Sequence, residues 1–185
     1  MSQDPIGHLL SINVAQPQKV AYRGTKVATG IYKLPIEGPV MVRTLGIDGD
    51  AQADLKVHGG VDKAVYLYAQ ENYDLWSAEL GKPLAPGHFG ENLTVTGLLE
   101  DGIRPGDELT IGGAILQVTE PRFPCFKLGI KMADQRFLVR FQESGRSGFY
   151  CSVIQEGKIQ SGDAITHRPT SGREPTILEM VRSVR

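Results

Sequence analysis

The chain has 185 residues, with 20 Lys or Arg against 21 Asp or Glu for a formal net charge of -1. That length suits one well-buried core, and a charge so close to zero gives no field that would gather nucleic acid or an anionic membrane. The N-terminus carries Asp4 and lacks the basic start and apolar run of a signal peptide, and no stretch reaches the roughly 18 apolar residues of a membrane span. Only Cys125 and Cys151 are present, so no disulfide framework is expected and the reducing cytoplasm is the expected compartment.

In chain order, short β-branched or alternating segments fall at 9–14, 26–34, 40–45, 64–68, 93–95, 108–111, 114–119 and 149–154, with Gly, Pro, Asn and Asp between them. Many short strands with frequent turns predict a mainly β fold, an antiparallel barrel or sandwich. Gly112-Gly113 supplies the positive φ of a two-residue hairpin turn between 108–111 and 114–119. Two helices are predicted inside this body. One spans 70–80, with Tyr73, Trp76 and Leu80 on one stripe and Gly81 at its end. The other spans 134–143, with Phe137, Leu138 and Phe141 along one side. Residues 161–173 read as a last strand and a linker, and 175–185 as a short helix with Pro175 at its first position and Ile177, Leu178, Val181 and Val184 in a stripe. The expected organisation is one barrel domain over 1–170, its motif core at about 40–162, followed by that helix over 171–185.

Four segments carry groups suited to chemistry. In 46–64 a polar loop ends in His58-Gly59-Gly60 and runs through Asp62 and Lys63 into a strand. Adjacent glycines let backbone N–H groups approach an anion, which His58 and Lys63 would flank, though a plain tight turn fits as well. In Gly87-His-Phe89-Gly90-Glu91-Asn92-Leu93 a glycine-rich loop delivers a carboxylate and an amide to a strand mouth. These either orient a ligand or hydrogen-bond the loop's own backbone. In Pro121-Arg122-Phe-Pro-Cys125-Phe-Lys127 two prolines stiffen the approach to a cysteine, and the nearby Arg122 and Lys127 favour the thiolate, the form that binds metals. A buried apolar cysteine is the other reading of Cys125, and the ordinary reading of Cys151 within the strand-like 149–154. Arg136 and Arg140 share a predicted helix face, either as a phosphate clamp or as a solvated surface. No local spacing suits a zinc site.

Taken in this order, His58-Gly-Gly-Val-Asp62-Lys63-Ala64, Phe89-Gly-Glu91-Asn92-Leu93 and Pro121-Arg122-Phe-Pro-Cys125 resemble the MOSC family, and within it the stand-alone bacterial YiiM-type branch. The resemblance implies a MOSC-type β-barrel with peripheral helices, which holds a molybdenum cofactor (molybdopterin-bound molybdenum) with Cys125 as the protein's ligand to the metal. It also implies that His58, Lys63, Asn92 and Arg122 steady the pterin phosphate or substrate. The implied activity is reduction of N-hydroxylated compounds such as hydroxylamino-purines. No flavin, haem or iron-sulfur motif is found, so electrons are expected from a separate redox partner. The alternative is a non-catalytic carrier of the cofactor, or of persulfide sulfur on Cys125. YiiM-type proteins generally continue into a three-helix bundle, whereas here one short helix is read. There is no room for the sulfurases' pyridoxal-phosphate domain.

Overall fold

Apolar side chains at every second position bury one face of a strand, and the turn residues between them let the chain reverse within a few residues. In the computed structural model, which describes residues 4–51 and 59–184, this pattern builds β1 (Gly7–Val14), β2 (Gln18–Tyr22), β3 (Thr25–Thr29), β4 (Leu34–Ile36), β5 (Val40–Arg43), β6 (Gly46–Ile47), β7 (Val65–Ala69), β8 (Leu93–Val95), β9 (Glu108–Ile111), β10 (Ala114–Pro121), β11 (Phe149–Gln155), β12 (Gly157–Ile159) and β13 (Ala164–Arg168). The helices are α1 (Gln70–Leu80), α2 (Phe126–Met132), α3 (Phe137–Ser144) and α4 (Ile177–Ser183), and a 3-10 turn covers Val61–Lys63.

The main sheet runs β13-β9-β10-β11-β7-β8-β1 and closes through pairing of β1 with β13, a barrel of seven strands with β4 added beside β1. Closure removes the free strand edges that would otherwise recruit another chain. Neighbours are antiparallel apart from β7 and β8, whose parallel register sets Leu67 opposite Leu93. A parallel pair needs a long crossover, and here α1 with residues 81–92 supplies it. The sequence had suggested antiparallel pairing throughout. This one parallel step brings the Gly87–Asn92 loop back beside β7.

Strand β7 is buried on both faces. Val65 and Leu67 point into the barrel with Leu93, Leu109, Leu116, Val118, Phe149 and Cys151. Tyr66 and Tyr68 point outward into a second, aromatic core with Trp76, Phe89, Phe137 and Phe141 under α1 and α3. The mainly β barrel with peripheral helices is as expected.

Several boundaries differ from the sequence reading. The single strand expected at 26–34 ends at Thr29, and a separate β4 begins at Leu34; β3 instead makes a hairpin with β2. Helix α2 was not anticipated, because it is short and contains Gly129. Helix α3 starts at Phe137 rather than 134, with Arg136 only at its cap. Helix α4 starts after Thr176, which forms a capping box with Glu179, a local choice stronger than Pro175 at the first position. Among the described residues no helix is long and apolar enough to cross a membrane.

Candidate functional site

A cavity enclosing about 630 Å3, including the solvent at its mouth, lies against the outer faces of β7 and β11. Its floor is the cross-strand pair Tyr66 and Tyr150, with ring centroids 5.3 Å apart. Cys125, Arg122, Lys63, Asn92, Lys127, Lys33 and Asp50 all line it, so four of the five residues anticipated from sequence converge on one space. His58, the fifth, lies outside the described residues.

Strand β10 delivers the cysteine segment. It runs on to Pro121, two residues past the expected end, pairing Pro121 with Phe149 across a bulge between Val118 and Glu120. Proline is tolerated there because it closes the strand. Cys125 is half-buried in extended conformation as the cap residue of α2, and its carbonyl accepts from Leu128 N at 2.9 Å. By contrast, Cys151 is fully buried in the barrel, where burial pushes its thiol well above the ordinary value.

Arg122 is buried beneath this segment, its guanidinium 5.2 Å from the Tyr66 ring centroid and 5.4 Å from that of Phe141. Its Nη1, shielded from solvent, has no hydrogen-bond partner among the described residues. A permanently charged group with an unmet donor at a cavity wall suits an anionic ligand. Lys63, on the 3-10 turn after Gly60 (φ 97°), pairs with Glu120 at 2.9 Å and lies 5.7 Å from the Tyr150 ring. Burial raises the Tyr150 phenol, opposed by Arg122 and Lys63.

The Gly87–Asn92 loop divides its two polar residues. Glu91 is buried and does not line the cavity, its Oε1 accepting from Tyr73 OH at 2.6 Å, Gly87 N at 2.7 Å and Thr94 Oγ1 at 2.7 Å. Asn92 faces the cavity; its Oδ1 accepts from Tyr66 N at 3.1 Å and its Nδ2 donates to Asp50 Oδ2 at 2.9 Å. Lys131, on α2, ties the loop to its neighbour by donating to Gly87 O at 2.7 Å and Ile31 O at 2.8 Å, and burial lowers its pKa to about 8.

The sequence reading missed Lys33 and Asp50, which form a buried ion pair in the cavity wall at 2.5 Å. Lys33 falls inside the strand expected at 26–34 and Asp50 in the polar loop expected at 46–64, and no spacing links residues 17 apart. The arginine clamp is not formed. Arg136 is almost fully exposed and pairs with Asp134, while Arg140 turns with Arg146 towards Glu79 across the face of Trp76. Among the described residues no cluster of three or more His, Cys, Asp and Glu forms a metal site.

Comparison with known proteins accords with this architecture. The MOSC domain family matches residues 54–166. The chain is 43% identical to the uncharacterized protein YflK of Bacillus subtilis, over 83% of this chain and 70% of that one. It is 39% identical to protein YiiM of Escherichia coli, over 74% of this chain and 62% of that one. It is also 34% identical to a Gibberella moniliformis protein named Reductase, over 97% of this chain but only 32% of the fungal one. The crystal structure of YiiM from Geobacillus stearothermophilus matches with a TM-score of 0.79 at 32% identity, covering 95% of this chain and 82% of that one.

Proposed function

The chain belongs to the MOSC family, and from that premise we propose that it is a molybdenum-cofactor-dependent oxidoreductase that reduces N-hydroxylated compounds with electrons from an external redox protein. The observation that carries this reading is the convergence of Cys125 with Arg122, Lys63 and Lys127 on one cavity, where the buried Arg122 Nη1 lacks a partner among the described residues. A half-buried thiol beside three cations fits a group that combines a soft metal with an anionic phosphate. The relative named Reductase is consistent with redox chemistry on this scaffold.

On this reading Cys125 is the protein ligand to molybdenum, and Arg122, Lys63, Lys127 and Asn92 hold the phosphate or orient the substrate. When bound, the cofactor supplies the two-electron chemistry. The protein supplies a fixed thiolate, positive charge against the phosphate, and an aromatic floor of Tyr66 and Tyr150 suited to a flat heteroaromatic ring.

The test is molybdenum and pterin content of wild type and Cys125→Ser purified from a cofactor-producing host, with hydroxylamine reduction driven by a reduced dye. Near-stoichiometric metal with turnover, both lost in the variant, is the expected result. Metal without turnover would point instead to a cofactor carrier. Wild type without metal or pterin would overturn the assignment of Cys125.

A further inference from the structure

We propose that Lys33, held on the cavity wall by Asp50, is the ammonium that protonates the departing oxygen when an N–OH bond is reduced, with Asp50 as its positioning residue. This rests on the N-hydroxyl reading above. The overall change is RNHOH plus two electrons and two protons to RNH2 plus water. The N–O bond breaks, nitrogen is reduced by an external one-electron donor oxidised twice, one proton ends on nitrogen and one on oxygen. Hydroxide is a poor leaving group, so a positioned acid at that oxygen lowers the barrier.

The geometry singles out Lys33. Its side chain is 8% exposed and that of Asp50 6%, and their 2.5 Å contact lies in the wall of the cavity that also holds Cys125. Asp50 is fixed from three sides, because its Oδ1 also accepts from Ala15 N at 2.8 Å and its Oδ2 accepts from Asn92 Nδ2 at 2.9 Å. The ammonium has three N–H groups and one partner among the described residues, which leaves donors for a ligand. Three other polar groups of the cavity serve less well. Arg122 does not release a proton at neutral pH, and Lys63 sits in a more solvated pair with Glu120, its side chain 32% exposed against 8% for Lys33. Tyr66 donates to Ser147 O at 2.8 Å, and burial holds its phenol far above neutrality.

Burial lowers the Lys33 pKa, while Asp50 and Glu91 act to raise it. Lys131 adds like charge from α2, and Arg122, Lys63 and Lys127 line the same cavity. The balance favours a lysine that releases its proton more readily than a solvated one, and regains it from solvent at the mouth. The proton's path is then Lys33 to oxygen, not through Cys125.

Two measurements test this. In metal-loaded protein with reduced methyl viologen, Lys33→Arg retains the charge that holds Asp50 but is no acid at neutral pH. It is expected to keep its molybdenum content and to lose about 10²-fold or more in kcat on hydroxylamine. On hydroxylamine-O-sulfonate, whose sulfate departs without a proton, it is expected to lose no more than about 3-fold, as no acid is needed there. Undiminished turnover of hydroxylamine by the variant, or equal loss on both substrates, would overturn the role of Lys33 while leaving the reductase reading intact. Failure of metal-loaded wild type to reduce either substrate would overturn both. Independently of turnover, the 13Cε resonance of Lys33 in the metal-free chain should titrate below that of an ordinary lysine, and lower still in Asp50→Asn. Ordinary titration, unchanged in that variant, would also sink the proposal.

Discussion

Asn92 shows how one side chain joins the site to the frame. Its amide oxygen takes a β7 backbone N–H while its nitrogen holds the carboxylate that fixes Lys33. His88 lies in the same loop. Burial, with Lys131 and Lys82 nearby, lowers its pKa to about 4, and its Nε2 lies 3.2 Å from Met132 Sδ. The folded value is below the ordinary 6.5, so between pH 6.5 and 4 the unfolded chain binds more protons and stability falls as pH falls through that window. Urea unfolding of His88→Gln should therefore lose less stability than wild type between pH 6.5 and pH 4. Equal losses would show that this imidazole does not report the packing of the loop. At this scale Cys125 was legible, because prolines and basic residues flank it in sequence. The Lys33 and Asp50 pair was not, since Lys33 precedes β4 and Asp50 follows β6, and only the path of the strands between them brings the two together.

At the scale of elements, β10 and β11 meet the site through Gly148. Its φ is 62°, its N–H donates to Glu100 Oε1 at 2.7 Å, and its carbonyl accepts from Arg122 N at 3.3 Å. A Cβ there would come within 2.4 Å of Leu67 O and 2.8 Å of the Tyr66 and Tyr68 rings. Backbone cannot yield as a flexible side-chain end does, so Gly148→Ala should destabilise by about 3 kcal/mol or more, read from denaturant unfolding. A loss under about 1 kcal/mol would mean that the strand pair relaxes freely at this point. The β9 to β10 hairpin was legible from Gly112-Gly113 because its turn chemistry is local. Helix α2 was hidden, since seven residues interrupted by Gly129 carry little helical signal and their stability comes from packing Leu128 into the aromatic core.

Across the whole molecule, one wall separates two apolar bodies. Val65 and Leu67 serve the barrel while Tyr66 and Tyr68 serve the helical layer, and neither body is complete without β7. Cooperative loss of both is expected. Trp76 fluorescence, reporting the aromatic core, and far-UV circular dichroism, weighted to the barrel, should give coincident transitions in urea. Two separated midpoints would show that the helical layer melts on its own. The barrel was legible from strand spacing and turn residues, whereas its closure and its parallel step depend on distant pairings, Gly7 with Ile165 and Leu67 with Leu93, that no local pattern records.

The barrel interior is filled by its own side chains, and the cavity sits on the flank of the wall, between the outward tyrosines of β7 and β11 and the segment that enters α2. A guest therefore never has to be enclosed during folding, nor threaded through a lumen afterwards. Folding and loading become separate equilibria. The empty chain stands on its two cores alone, and a ligand adds only the stability that its concentration relative to its dissociation constant dictates.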